Sequence, residues 1–259
     1  MINTIVFSKD RPAQLDLFMR TSLKYTNREF DINVLYTWSN DRYKEGYDIL
    51  MNRYSRDINF VLESNFKDNL INIIDICYEC TVFFVDDIIF KKKFSTNDNE
   101  FKEFENSDDI LCLSLRLHPD LTYCYAANIP MRPTKKTKYI WSAETGDYSY
   151  PMSLDGHIFK TIDIYKRIET LDYNNPNSLE SILSCNPIHK PLMSCYEDSI
   201  VINNACNKVQ TDIPNRHGNT DANYLNDRYL EGYIIDDAIY GGVTYESCHK
   251  ELPVFFVKL

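Results

Sequence analysis

Glycine is scarce in this chain: seven residues in 259, no low-complexity tract, and none between Phe7 and Pro12, where a first phosphate loop would stand. That scarcity excludes a collagen-like repeat and weighs against nucleotidyltransferases, which cradle phosphate in a glycine-rich, basic loop near the N-terminus. The sequence has no GxxxxGK[ST], which excludes a P-loop NTPase, and no GxSxG, which disfavours a serine hydrolase. No apolar run reaches membrane-spanning length, because charges interrupt each one. Positive charge is in deficit as well. The 28 Lys and Arg against 38 Asp and Glu give a net charge of −10, which repels phosphate backbones and argues against nucleic acid as a partner. The basic runs Lys91-Lys92-Lys93 and Lys135-Lys136-Thr137-Lys138 are short and read as solvated loops.

What is present suits a folded domain: 44% hydrophobic and 25% charged residues are enough to bury one large core or two modest ones, and they exclude disorder. Eight cysteines in a long chain with no signal-peptide pattern imply reduced thiols and a cytoplasmic location. Cys77 and Cys80 form a single CxxC with no second pair and no HxxxH to complete a zinc site, so they read as core packing on a helix.

The first 110 residues alternate strand-like and helix-like patterns. Thr4 to Ser8, Ile32 to Thr37, Asn59 to Leu62 and Thr81 to Val85 read as strands. Between them lie helical spacings: Leu15, Phe18, Met19 and Leu23; then Arg42 to Tyr54; then Phe66, Leu70, Ile73, Ile74 and Cys77. A β-α-β-α-β-α-β order predicts an α/β fold with a mostly parallel central sheet and helices on both faces. Ligands in such sheets bind beyond the strand C-termini, which gathers Ser8–Arg11, Thr37–Ser39 and Asp86–Asp87 at one edge.

The second half is less regular. Ile110 to Leu115 reads as a strand and Leu117 to Tyr139 as an irregular loop. Helices are expected after Asp155, as a cap, through Ile158, Phe159, Ile162 and Tyr165; over Ser178 to Leu183; and over Tyr224 to Glu231 before Gly232. No repeat or linker appears, so the chain reads as one domain, 1–259, with two functional halves, 1–110 and 111–259.

The sharpest constellation is Val82-Phe83-Phe84-Val85-Asp86-Asp87-Ile88, an apolar strand ending in two acids. Adjacent carboxylates at a buried strand end are costly unless a cation, donors or water meets them, and Mg²⁺ or Mn²⁺ holding a diphosphate would do so. Together with the opening Ile5-Val6-Phe7-Ser8-Lys9-Asp10-Arg11-Pro12, this layout resembles glycosyltransferases of the GT-A fold, family 2-like and sugar-nucleotide-dependent. Those enzymes carry a DxD-type motif at the end of a central strand, and many open with a strand and a Ser/Thr-x-x-Arg-Pro turn under the nucleotide.

The resemblance implies a Rossmann-like sheet, a nucleotide-sugar donor, Mn²⁺ or Mg²⁺ as cofactor, and a carbohydrate or glycolipid acceptor reached without a membrane span, with peripheral membrane contact allowed. It makes 1–110 the nucleotide-sugar-binding half and 111–259 the acceptor-binding half, and places Ser8, Asp10, Arg11, Thr37, Ser39 and Asp86 around the nucleotide and Asp87 on the metal. Inverting members often carry a Glu-Asp pair at the start of a helix, and Tyr196-Glu197-Asp198 stands in that role. Asp198 is then the base that takes the proton of the acceptor hydroxyl, with Glu197 as the fallback.

Trp141, Asp147, Tyr148, Asp155 and His157 concentrate aromatic faces and acids in a turn-rich segment suited to sugar, as donor or acceptor contacts. His217, in the polar loop Asn215-Arg216-His217-Gly218-Asn219, matches a late metal ligand of several GT-A families, with Asn219 and Asp221 closing the loop over the diphosphate. Two competing readings stay open: a nucleotidyltransferase, and a non-catalytic carbohydrate-binding protein of the same fold.

Overall fold

A computed structural model of the chain describes residues 1–210 and 216–259; residues 211–215, Asn215 among them, lie outside the described residues. In chain order the first half gives β1 (Ile2–Lys9), α1 (Pro12–Tyr25), β2 (Phe30–Thr37), α2 (Asp41–Tyr54), β3 (Asn59–Leu62), α3 (Phe66–Ile73), β4 (Cys80–Val85), β5 (Ile88–Phe90) and α4 (Asn99–Glu105). The second half gives β6 (Ile110–Ser114), β7 (Tyr123–Cys124), β8 (Ile129–Pro130), β9 (Lys138–Ile140), β10 (His157–Lys160), α5 (Thr161–Thr170), α6 (Pro176–Cys185), β11 (Leu192–Cys195), β12 (Val201–Asn204), α7 (Ala222–Leu230), β13 (Tyr233–Ile235), β14 (His249–Lys250) and β15 (Phe256–Lys258).

An eight-stranded sheet in the order β3-β2-β1-β4-β10-β6-β11-β9 forms the centre of the molecule. It is mostly parallel: β10 runs against both β4 and β6, and β9 against β11, while the other pairings are parallel. Strand pleating sends alternate residues to opposite layers. In β4, Val82 and Phe84 join the core formed with α1, α2 and α7, whereas Phe83 joins the core formed with α3, α5 and α6. Burial on both faces explains the uninterrupted apolar run, and each such side chain contributes roughly 1.5–3 kcal/mol. Helices α1, α2 and α7 meet closely at Gly46, where a Cβ would lie 2.4 Å from Pro12 Cγ and 2.6 Å from Asn226 Oδ1.

The parallel half agrees with the sequence expectation, and three features differ from it. Helix α3 ends at Ile73, and Ile74, still buried in the core, is already extended, so Cys77 sits exposed in a turn while Cys80 opens β4; the CxxC is not one packed helical pair. His157–Lys160 is a strand rather than the start of a helix, and Asp155 caps nothing there, because β10 closes the gap between β4 and β6 and α5 begins only at Thr161. Lys91 is buried rather than solvated, its ammonium 3.0 Å from Asp198 Oδ1.

After Asp86 and Asp87 the chain turns directly into β5, which pairs antiparallel with β12, and β12 pairs parallel with β14. This small sheet carries Asn203 and His249 to the end of β4. Among the described residues, no helix is long and apolar enough to cross a membrane.

Candidate functional site

The site is built on the carboxylate pair that ends β4. Arg11, from the turn after β1, places Nη1 3.0 Å from both Asp86 Oδ1 and Asp87 Oδ2 and gives Nη2 to the Asn207 carbonyl at 2.7 Å. Ser8 Oγ donates to Asp86 Oδ2 at 2.8 Å and shares a 2.7 Å hydrogen bond with Tyr47 Oη. On the other flank, Asn203 Nδ2 donates to Asp87 Oδ1 at 2.9 Å and to Asp155 Oδ2 at 3.3 Å, so one amide bridges two acids. Burial, opposed by Arg11 and aided by Asp86 and Asp155, pushes the Asp87 carboxyl up to about 6.

Asp155 is the second centre. Its Oδ2 lies 3.0 Å from His249 Nε2 and 3.4 Å from Arg116 Nη1. Burial works to raise its pKa, but the His249 hydrogen bond and charge, together with Arg116, hold it below the usual carboxylate range. Arg116 is 2% exposed and also donates Nε to His157 Nε2 at 3.4 Å. His157 Nδ1 faces the Pro151 carbonyl at 3.1 Å, which fixes a neutral ring as donor at one nitrogen and acceptor at the other. Burial first and Arg116 second lower the His157 pKa to about 3.

Two cavities open at this edge. One, of about 530 Å³, is polar and bordered by Asp10, Ser39, Asn40, Tyr43, Asn219 and Asp221. The other, of about 500 Å³, is the cleft over Asp87, Arg116, Asp147, Asp155, Glu180 and His249. Asn207, Lys208 and His217 line both, so the cavities are neighbours. Asp10 holds a left-handed backbone (φ +56°) that side chains rarely adopt, and its Oδ1 accepts the Ser39 amide at 2.7 Å.

Four buried polar atoms of cleft-lining residues have no hydrogen-bond partner among the described residues: the donors Arg11 Nε and Asn207 Nδ2, and the acceptors Asp147 Oδ2 and Asp155 Oδ1. Unpartnered buried groups cost free energy, and a ligand or water entering the cleft would supply the missing partners.

The structure sorts the residues expected from sequence. Asp10, Ser39, Arg11, Asp87, Asp147, Asp155 and His217 line the cavities. Ser8, Asp86 and His157 lie beneath them as supports; Ser8 braces Asp86 and does not face a cavity. Thr37 lines neither cavity, and its carbonyl accepts the Asp10 amide. Trp141 gives its indole N–H to the Lys190 carbonyl and Tyr148 gives its hydroxyl to the His118 carbonyl, so both brace loops away from the cavities. Glu197 and Asp198 also line neither cavity. They sit on a bend between β11 and β12, with no helix after them, and Asp198 is held by Lys91.

Sequence reasoning missed Arg116, Glu180, Asn203 and His249. The arginine inside the apolar run Leu113-Ser114-Leu115-Arg116-Leu117 was the one local signal, since a charge there needs buried partners.

For Mn²⁺ or Mg²⁺ the donor chemistry fits at Asp87. Its oxygens keep lone pairs beyond those used by Arg11 and Asn203, and His217, whose Nδ1 meets the Gly218 carbonyl, borders the same cleft.

No family model matches the chain. Over 213 residues, 69% of this chain and 27% of the relative, it is 32% identical to the bifunctional glycosyltransferase pgtA of Dictyostelium discoideum. The chain therefore spans about a quarter of the length of that curated relative. The crystal structure of S. aureus TarS 1-349 aligns with a TM-score of 0.51 at 12% identity, covering 78% of this chain and 60% of that one, a likeness of fold. The chain thus has an α/β fold of the GT-A type, and over 69% of its length its sequence is similar to part of a glycosyltransferase.

Proposed function

We propose that the chain transfers a sugar from a nucleotide-sugar donor to a hydroxyl of a carbohydrate or glycolipid acceptor, with inversion. The observation that carries this reading is the division of unpartnered groups in the cleft: donors at Arg11 and Asn207, acceptors at Asp147 and Asp155. Phosphate oxygens need donors and sugar hydroxyls need acceptors, and a nucleotide sugar presents them in that order along its length. The polar cavity at Asp10, Ser39 and Tyr43, next to Asn207, then takes the nucleoside.

In this reading Asp155 is the base in place of Asp198. His249, Arg116 and Asn203 fix its Oδ2, leaving Oδ1 for the acceptor proton. The acceptor oxygen loses that proton as it bonds the anomeric carbon, and the bond to the diphosphate breaks on the opposite face. Arg11, oriented by Asp86 and Asp87, meets the charge that develops on the leaving group. A divalent cation held by Asp87 and His217 would add to that neutralisation. Asp147 positions sugar hydroxyls through Oδ2.

Calorimetric titration with nucleoside diphosphates and sugar nucleotides, each with and without Mn²⁺, tests the reading. Tight binding of one nucleotide is expected, and a folded sample silent across the panel would overturn it. Asp155→Asn should keep donor affinity and lose at least a hundredfold in transfer; retained turnover would remove Asp155 from the role.

A further inference from the structure

Beside the cleft, Asp147, Cys248 and His249 offer a carboxylate oxygen, a thiol sulfur and an imidazole nitrogen that all lie within 4.8 Å of one another. Among the described residues this is the group of His, Cys, Asp and Glu compact enough to share one ion, and it is not the Asp86–Asp87 pair. We propose that these three residues bind a thiophilic divalent cation of the zinc type, at a site separate from the carboxylate pair that ends β4.

Four observations besides proximity support this. Asp147 is 5% exposed and, among the described residues, its Oδ2 has no hydrogen-bond partner, Arg116 facing the other oxygen. His249 Nε2 lies 3.0 Å from Asp155 Oδ2 while its Nδ1 faces Cys248 Sγ at 3.3 Å. A carboxylate on one ring nitrogen, turning the other toward the ligand position, is the arrangement that orients metal-binding histidines. Cys124 lines the same cleft as Asp147 and His249, which brings a second sulfur to the edge of the group. Asp147 and His249 also line the cleft, so three protein ligands leave a fourth, open position toward it, as tetrahedral zinc requires for water or substrate.

Arg116 is the cation already there: its Nη2 stands 3.9 Å from Asp147 Oδ1, and its Nη1 3.2 Å from His249 Nε2 and 3.5 Å from His249 Nδ1. With the ion bound, Arg116 and the dication face Asp147, Asp155 and the Cys248 thiolate, three charges of each sign. The sulfur ligand selects zinc-like ions over Mg²⁺, whose ligands are hard oxygens. The inference rests on ligand geometry and not on the proposed transfer; a bound ion would take the Asp147 Oδ2 assigned there to a sugar hydroxyl and offer its own open position to that hydroxyl instead.

Cobalt(II) titration of the full chain after chelator treatment tests it, because a thiolate ligand gives Co²⁺ an intense near-ultraviolet charge-transfer band. One equivalent of Co²⁺ should raise the band, one equivalent of Zn²⁺ should abolish it, and Cys248→Ser should fail to develop it. The double variant Cys77→Ser/Cys185→Ser, which removes the exposed thiols, should keep it. Wild-type protein without the band, or a band lost in the double variant and kept in Cys248→Ser, would overturn the site. Asp155→Asn gives an arm that does not depend on the folding of the Cys248 variant. Removing the partner of His249 should weaken Co²⁺ binding about 10- to 100-fold, and unchanged affinity would also overturn the site.

Discussion

Lys91, its side chain wholly shielded from solvent, ends 3.0 Å from Asp198 Oδ1. Burial lowers the Lys91 pKa, and the Asp198 hydrogen bond and charge oppose that shift. The contact explains why an acid pair in a suggestive position lines no cavity: its charge is committed to holding a buried ammonium between β5 and the β11–β12 bend. Asp198→Asn should cost roughly 2 kcal/mol, less than the 3–5 of a fully buried pair because Asp198 keeps 25% of its surface exposed. Chemical denaturation checks the stability. Sugar transfer by the variant at a temperature where it is folded should stay within a few-fold of wild type, and a loss of transfer alone would return Asp198 to the reaction.

Arg11 carries the heaviest electrostatic load at the site. Arg11→Ala strands two buried carboxylates and should lose about 3–5 kcal/mol in urea unfolding. Arg11→Lys should recover only part of it, because an ammonium lacks the planar fork that reaches Asp86, Asp87 and the Asn207 carbonyl together. A loss below about 1 kcal/mol for Arg11→Ala would mean that water replaces the guanidinium.

His157 makes stability depend on pH. Its folded pKa, near 3, lies below the ordinary 6.5, so between those values the unfolded chain binds the extra proton. Stability therefore falls as pH drops below about 6.5, by roughly 1 kcal/mol per pH unit, until the folded state also protonates near 3. Melting curves at pH 7 and pH 4.5 should show a larger drop for wild type than for His157→Gln, and equal drops would place the acid sensitivity elsewhere.

Asp16 of α1 is fully buried beneath α2 and α7. Its oxygens accept from Arg20 Nε at 2.8 Å, Arg53 Nη1 at 2.5 Å, Tyr54 Oη at 3.0 Å and Tyr229 Oη at 3.3 Å. Asp16→Asn keeps the shape but removes the charge that two guanidiniums face, so it should destabilise by about 3 kcal/mol without touching the cleft. Nucleotide titration of the folded variant should match wild type, and a changed affinity would mean that the α1–α2–α7 packing sets the cavity at Asp10.

The parallel half was legible because its strands are separated by amphipathic helices with clear spacing, and β3 falls at the residues expected, Asn59–Leu62. Strand β10 was not. Three of its four residues are fully buried in succession, so it shows no alternation, and Ile158, Phe159, Ile162 and Tyr165 happen to match a helical face. Only pairing with β4 and β6 decides its state. In the site, Asp86–Asp87, Arg11, Asp147 and Asp155 stood out as charges beside apolar runs or turns. Asn203 and His249 did not, since each is ordinary in its own segment and joins the site through the β5–β12–β14 pairing. Ser8 and Thr37 were read correctly as strand ends, but the pleat and the turn direct them into supporting contacts instead of the cavities.

Strand β10 also bears on how the molecule assembles. Its antiparallel insertion means that β4, the strand carrying the carboxylate pair, keeps an open edge until residues from beyond the middle of the chain arrive to cover it. A nascent or truncated chain ending before His157 would present that flat, apolar edge as a template for other strands. Closure of β4 by β10 joins the two sequence halves in one sheet, and Asn203, from later still in the chain, completes the contacts of the carboxylate pair.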